Sequence, residues 1–255
     1  MKIVFIGSGN VATHMAVALK NAGSEIIQIY SRTYTNAHLL AERVSAQPIN
    51  DLKYLNRDAD LYIFSLKDDA LPKIIDLMPD TSGLWIHTAG SVPMNLFEQR
   101  LTKGGYGVLY PLQTFSKDRE LDFSKVPVFI EGNTRETEEF FLSVARKISD
   151  DVKLMDSESR KYLHLSAVFA NNFSNHMYSL SSAILKKRGI AFDVLRPLIA
   201  ETAEKVLEME PIKAQTGPAV RFDEEIINKH LELIVDDQIK EIYNVLSNSI
   251  NRYST

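Results

Sequence analysis

The sequence predicts an α/β fold in its first half and an all-helical domain in its second. Short apolar runs alternate with helical patterns as far as residue 155, the signature of a mostly parallel sheet with crossover helices. A glycine-rich turn follows the first of those runs. After Ser157 the strand signals give way to long helical patterns. The strands fall at 2–6, 25–30, 61–65, 84–87, 107–110 and 126–131, with helices at 10–22, 34–44, 69–78 and 134–149 between them. Residues 151–155 form a last short strand or linker, and helices at 157–187, 192–209 and 223–249 fill the rest. The shift divides the chain into domains of 1–155 and 156–255, with no internal repeat and no linker rich in Gly, Pro or Ser.

Composition narrows the chemistry. The 255 residues, 45% of them hydrophobic and 24% charged, can bury a substantial core and do not suit a disordered chain. Twenty-nine basic residues against 33 acidic ones leave a net charge of −4, without the footprint of a nucleic-acid binder. With no cysteine, disulfides, thiolate zinc sites and iron–sulfur clusters are excluded, and a reducing cytoplasm is the expected location. The apolar start reaches Gly7 after six residues, too soon for a signal peptide. Residues 162–185 lack Asp, Glu, Lys and Arg over a membrane-spanning length. They also carry ten polar side chains, too many for lipid, so a buried helix of a soluble protein and no membrane partner are expected.

The turn after the first strand reads Gly7-Ser8-Gly9-Asn10-Val11-Ala12, the dinucleotide-binding (Rossmann) fingerprint with alanine as its third small residue. Gly7 permits the tight turn, Gly9 lets backbone approach a pyrophosphate, and Ala12 lets the helix pack on the strand. The helix then aims its free N–H groups and positive dipole end at the phosphates. The second strand ends Tyr30-Ser31-Arg32-Thr33, without the acid that binds a ribose 2′-OH in NAD sites. Arg32 offers a fork for a 2′-phosphate, and Ser31 and Thr33 add hydroxyls, so NADP(H) is expected over NAD(H). Ser65 and Leu66, after the run 61–65, would pass beneath the nicotinamide ribose, while Asp68 or Asp69 caps the next helix. His87 and Gln113 follow later strands, where such folds meet their substrates.

At about 100° per residue, the helix from Ser157 places Tyr162, Phe169, Phe173, Met177, Leu180 and Ile184 on one stripe. His164, Asn171, Asn175, Tyr178 and Ser182 share the opposite side, with Asn172 and His176 on a flank. An uncharged helix must be covered on most of its surface, so the polar stripe faces either a ligand cleft or a helix or subunit seam. His176 fits the seam better. In the segment 216–223 a Gly-Pro turn leads to Asp223, a helix start; Arg221 is left over and could clamp a carboxylate or phosphate.

Gly-Ser-Gly-Asn-Val-Ala resembles the Gly-x-Gly-Asn-Met-Ala of pyrroline-5-carboxylate reductases and of deazaflavin-dependent NADP oxidoreductase-type domains. The whole chain resembles a bacterial family that joins a Rossmann-like domain to a helical carboxyl-terminal domain of unknown function. The carrying motifs are Gly9-Asn10-Val11-Ala12, Tyr30-Ser31-Arg32, His87-Thr88-Ala89-Gly90-Ser91, Pro111-Leu112-Gln113-Thr114-Phe115, Ala170-Asn171-Asn172-Phe173 and Thr216-Gly217-Pro218-Ala219-Val220-Arg221. The resemblance implies a 6-phosphogluconate dehydrogenase-like helical half and a homodimer formed through it. Two positions depart from related sequences. β-Hydroxyacid dehydrogenases place a catalytic lysine about one turn before an asparagine, whereas Ala167 stands there and His164 is the titratable group on the line of Asn171. Tyr110 precedes Pro-Leu-Gln where related sequences often have histidine.

Together these readings make the chain an NADP(H)-dependent oxidoreductase moving a hydride between nicotinamide and a small C=O or C=N substrate. His164 would exchange the proton, Asn171 would hold the reacting atom, and His87, Gln113 or Arg221 would meet the substrate; no metal is called for. The competing reading is a sensor or regulatory protein that binds NADP(H) and catalyses nothing.

Overall fold

A computed structural model describes residues 1–101 and 104–254. Its sheet has eight strands: β1 (Lys2–Ile6), β2 (Glu25–Tyr30), β3 (Gln47–Ile49), β4 (Leu61–Phe64), β5 (Leu84–His87), β6 (Tyr106–Pro111), β7 (Val128–Gly132) and β8 (Val152–Leu154). Their order is β3-β2-β1-β4-β5-β6-β7-β8. Every neighbouring pair is parallel except β6 and β7. The alternation of β1 shows why its run is apolar throughout. Ile3 and Phe5 face α1 (Asn10–Asn21), α2 (Tyr34–Val44) and α4 (Arg135–Ala145) in one core. Val4 and Ile6 face α3 (Leu71–Leu77) in another. A strand covered on both faces needs no polar side.

Most differences from the expected elements have a local cause. β3 was not expected, because its sequence Gln-Pro-Ile carries a proline; Pro48 is tolerated at the sheet edge, where one side of the strand needs no donor. α3 starts at Leu71 rather than at 69, with Pro72 in its first turn. The expected helix 223–249 is two helices, α9 (Glu224–Leu233) and α10 (Asp237–Ser254). Asp236 starts the second by accepting the N–H groups of Gln238 and Ile239. The helix expected at 192–209 begins as a 3₁₀ turn at Phe192–Leu195 and becomes α7 (Arg196–Glu208).

The helix expected at 157–187 is continuous in the chain but not uniform. It comprises α5 (Ser157–Ala167), a π-helical segment at Val168–Phe173 and α6 (Ser174–Lys186). A π turn holds more residues than an α turn, so each advances by less than the usual angle. The single line drawn from His164 through Asn171 to Ser182 is therefore broken. The two compact units divide inside this segment, Met1–Asn171 and Asn172–Thr255, so α5 belongs with the sheet.

A buried ion pair ties α5 there. Asp156 caps the helix by accepting from the Ser159 N–H. Arg160, 1% exposed, donates to the Glu131 carboxylate of β7 and to the Val92 carbonyl beyond β5. Glu131 also accepts the Ser157 N–H and hydroxyl, at 2.9 and 2.7 Å.

The second unit contains α6, α7, α8 (Pro211–Ala214), α9 and α10. Among its described residues only Ala219, Ile227 and Ser247 are buried, while Leu207 is 85% and Leu233 69% exposed. The expectation of a buried helix does not hold within one chain either: Tyr162 is 70% and Phe169 62% exposed. No helix among the described residues is long and apolar enough to cross a membrane.

Removing one partner of a buried pair strands the other's charge. Arg160→Met is expected to lower the unfolding free energy by about 3–5 kcal/mol in urea denaturation, and a loss below about 1 kcal/mol would show that the pair does not hold α5 in place.

Candidate functional site

The sheet order reverses at β1, whose neighbours are β2 and β4, and the glycine turn opens at the carboxyl end of β1. Gly7 has φ +121° and donates its N–H to the Tyr30 carbonyl at 2.8 Å. A Cβ on Gly7 would lie 2.1 Å from the Ser65 carbonyl oxygen, so the turn closes against the backbone after β4. Gly9 differs: a Cβ there would meet nothing within 4 Å. Its outer face is open space at the start of α1, a helix with no capping side chain and no acid in its first turn. That opening fits a pyrophosphate, which needs bare backbone and free N–H groups.

Around the turn, the expected cofactor residues divide. Ser8 is buried, while Val11 is half-buried and Asn10 exposed. The Asn10 amide donates to the Phe115 carbonyl at 2.7 Å, and one turn on His14 Nε2 lies 2.9 Å from the Ser116 carbonyl. Asn10 thus straps the segment after β6 onto α1, a role the motif did not reveal. Ser65 lies beside the turn, its hydroxyl accepting from Thr88 at 3.3 Å, and the Leu66 side chain comes within 3.1 Å of the same Gly7 position. Ser31 is half-buried at the end of β2; Arg32 and Thr33 are exposed. Arg32 makes no ion pair among the described residues.

Beyond β5 and β6, three groups converge. Tyr110 Oη lies 2.9 Å from His164 Nδ1, and the rings meet edge to face with centroids 5.8 Å apart. A Cβ on Gly90 would fall 2.6 Å from His164 Nδ1 and 2.9 Å from Tyr110 Cε2, so both rings rest on bare backbone. The buried Tyr110 phenol is pushed above its ordinary pKa by desolvation, against a smaller opposing effect of the Arg160 charge. Nearby, the Ser91 hydroxyl donates to Asp68, so Asp68 anchors the 88–91 loop.

The other expected site residues have surroundings of their own. His87 is fully buried and packs against Phe97 with the rings tilted by 44° and their centroids 5.6 Å apart. Its Nδ1 accepts the Ala89 N–H at 3.2 Å. It shapes the loop from beneath. Desolvation, then the Arg160 charge, depress its pKa to about 3. Gln113 is exposed and turns its Oε1 back to accept the Thr114 N–H at 2.7 Å. Asn171 is exposed in the π segment, and no hydrogen bond among the described residues joins it to His164. Arg221 is exposed in the second unit, just before Phe222, whose φ is +49°. No group of potential metal ligands occurs among the described residues.

A sheet in this order, with an open glycine turn at its reversal point, defines a dinucleotide-binding α/β protein of Rossmann type. Residues 2–85 match the family model described as NADP oxidoreductase, coenzyme F420-dependent, and residues 126–250 match a domain of unknown function, DUF2520. A Bacteroides fragilis protein to which an NADP oxidoreductase function is ascribed is 48% identical over 98% of both chains, with a TM-score of 0.91. The chain belongs to this two-part NADP oxidoreductase family. A Thermotoga maritima protein (19% identity, 99% of both chains, TM-score 0.82) has the same fold. So has an Aspergillus terreus reductive aminase solved with NADPH and ethyl-5-oxohexanoate (18% identity, 98% of this chain and 92% of that one, TM-score 0.69). No curated protein matches the sequence.

His87 makes acid stability a readout of the loop's underside. Below its unfolded value near 6.5 the unfolded chain binds a proton that the fold refuses until about pH 3, so stability present above pH 6.5 is lost as pH falls. Between pH 7 and pH 5 this one group should account for about 2 kcal/mol. His87→Asn, which keeps an acceptor for Ala89, should lose that much less in urea denaturation at the two pH values; an unchanged difference would show that His87 titrates in the fold.

Proposed function

We propose that the protein is an NADP(H)-dependent oxidoreductase acting on a small C=O or C=N substrate. The open face of Gly9 at the start of α1 carries this reading. The 48% identity to the Bacteroides fragilis protein supports it, as does NADPH in the structurally similar reductive aminase. Gly7, Ser8, Gly9, Asn10 and Val11 form the pyrophosphate cradle. Ser31, Arg32 and Thr33 hold the 2′-phosphate, and Ser65 with Leu66 floors the nicotinamide end. When bound, the nicotinamide supplies or takes the hydride.

His164 is the proton-exchanging group in this reading, because its ring stands at the ligand end of the sheet on an anchored helix. Asn171 follows on the same helix as the amide that holds the reacting oxygen or nitrogen. Gln113, and Arg221 by its exposed charge, are the polar groups proposed for the substrate's tail. A residue able to hand over a proton favours catalysis over mere sensing of the dinucleotide.

The working form is proposed to be a homodimer joined through the helical half. The exposed apolar residues of α5 to α10 support it, since a face of this kind is normally covered. Sedimentation equilibrium should give twice the chain mass; a monomer at all concentrations would refute it.

Titration should show NADPH binding more tightly than NADH. Arg32→Ser should weaken NADPH about ten- to a hundredfold and leave NADH unchanged, because a charge-assisted contact to the 2′-phosphate is lost. Absence of NADPH binding, or tighter NADH binding, would overturn the cofactor assignment. Screening NADPH oxidation against keto acids, aldehydes and imines should reveal turnover that His164→Ala reduces.

A further inference from the structure

We infer that Tyr110 is the positioning residue of His164: its phenol donates to Nδ1 and holds the neutral ring in the tautomer that carries its proton on Nε2. This refines the proposed role of His164, from exchanging a proton to holding the reacting atom by a hydrogen bond from Nε2–H, and rests on that reading for its catalytic meaning.

The direction of the hydrogen bond follows from burial. Tyr110 is 7% exposed, and its described hydrogen-bond partner is His164 Nδ1. Were the imidazole the donor, the phenol hydrogen would be left in the protein interior without an acceptor, an arrangement that folded proteins avoid. With the phenol as donor, both groups are satisfied and the proton of the ring sits on Nε2. Desolvation keeps the phenol protonated, so it remains a donor across the neutral range. The surrounding charges do not supply a competing acceptor. The Glu131 carboxylate of β7 accepts from Arg160 and Ser157, Asp68 accepts from Ser91, and Arg160 itself can only donate.

The packing leaves the ring little freedom. Gly90 lies under the His164 ring and under one edge of Tyr110, and any larger residue there would push them apart. His164 itself is half-buried, so in this dyad Tyr110 is the inner member and His164 the outer one. A neutral imidazole that presents Nε2–H can donate a hydrogen bond to a carbonyl oxygen and polarise it.

The test is the nitrogen NMR spectrum of the full-length protein labelled at its six histidines, recorded where the rings are neutral. His164, identified by its loss in His164→Gln, should show the Nε2–H pattern. Tyr110→Phe should convert it to a mixture of tautomers and leave the other neutral rings as they were. A Nδ1–H pattern in the unaltered protein, or a pattern untouched by Tyr110→Phe, would overturn the inference. If the phenylalanine variant does not fold, the unaltered protein decides by its Nδ1–H form, which should be absent, whereas a neutral ring without the phenol keeps a minor share of it. With an identified substrate, Tyr110→Phe should lower kcat about tenfold or more while KM and the NADPH Kd hold. Loss of NADPH binding would sink the proposed function without moving the tautomer, so the two failures are distinguishable.

Discussion

The ligand end of the first unit depends on one buried ion pair. Arg160 and Glu131 lie 29 residues apart, and their pairing draws the first turn of α5, the end of β7 and the loop beyond β5 to one point. Neither charge is tolerable in that interior without the other. Their geometry also explains why Ser157 and Asp156 stand where they do: the serine bonds Glu131 and the aspartate starts the helix. Once the first turn is held, His164 is delivered one turn later against Gly90 and Tyr110. The helix that carries the candidate proton donor is thus held by electrostatics in the core, and its ring is then set by Tyr110 and Gly90.

Legibility in the sequence followed the range of each interaction. β1, β2, α2 and β5 match the sequence expectation to the residue, because local apolar runs and the glycine turn specify them. β3 was hidden by Pro48, a residue that argues against a strand everywhere except at an edge. The angular reading of the long helix assumed one periodicity throughout, and six π-helical residues break that assumption. The Tyr110–His164 pair spans 54 residues and leaves no local pattern. Its only trace was a tyrosine where related sequences often carry histidine. Arg160 and Glu131 stand 29 residues apart, and no local pattern joins them.

Two glycines show that the same residue type can be required for different reasons. Gly7 is demanded by its own backbone, in the left-handed half of φ space and pressed against the Ser65 carbonyl. Gly90 needs no such dihedral; it is small because two aromatic rings occupy the space that a methyl group would take. Gly9 is a third case, with empty space on its outer side. A glycine that nothing in the fold demands points outward, to what the fold is built to receive.

The reversal of direction at β7 has a consequence for how the two halves of the chain share labour. β1, β2, β4, β5 and β6 all end at the ligand side, and a further parallel strand would have delivered the chain there too. Instead β7 and β8 run the opposite way, and α5 sets out from Glu131, whose cross-strand partner is Val108, nearer the start of β6 than its end. The helix must therefore travel back along the sheet to arrive beside Tyr110 near the end of β6. Had the last two strands kept the common direction, the same helix would have led away from the ligand side, and its histidine could not have met the tyrosine.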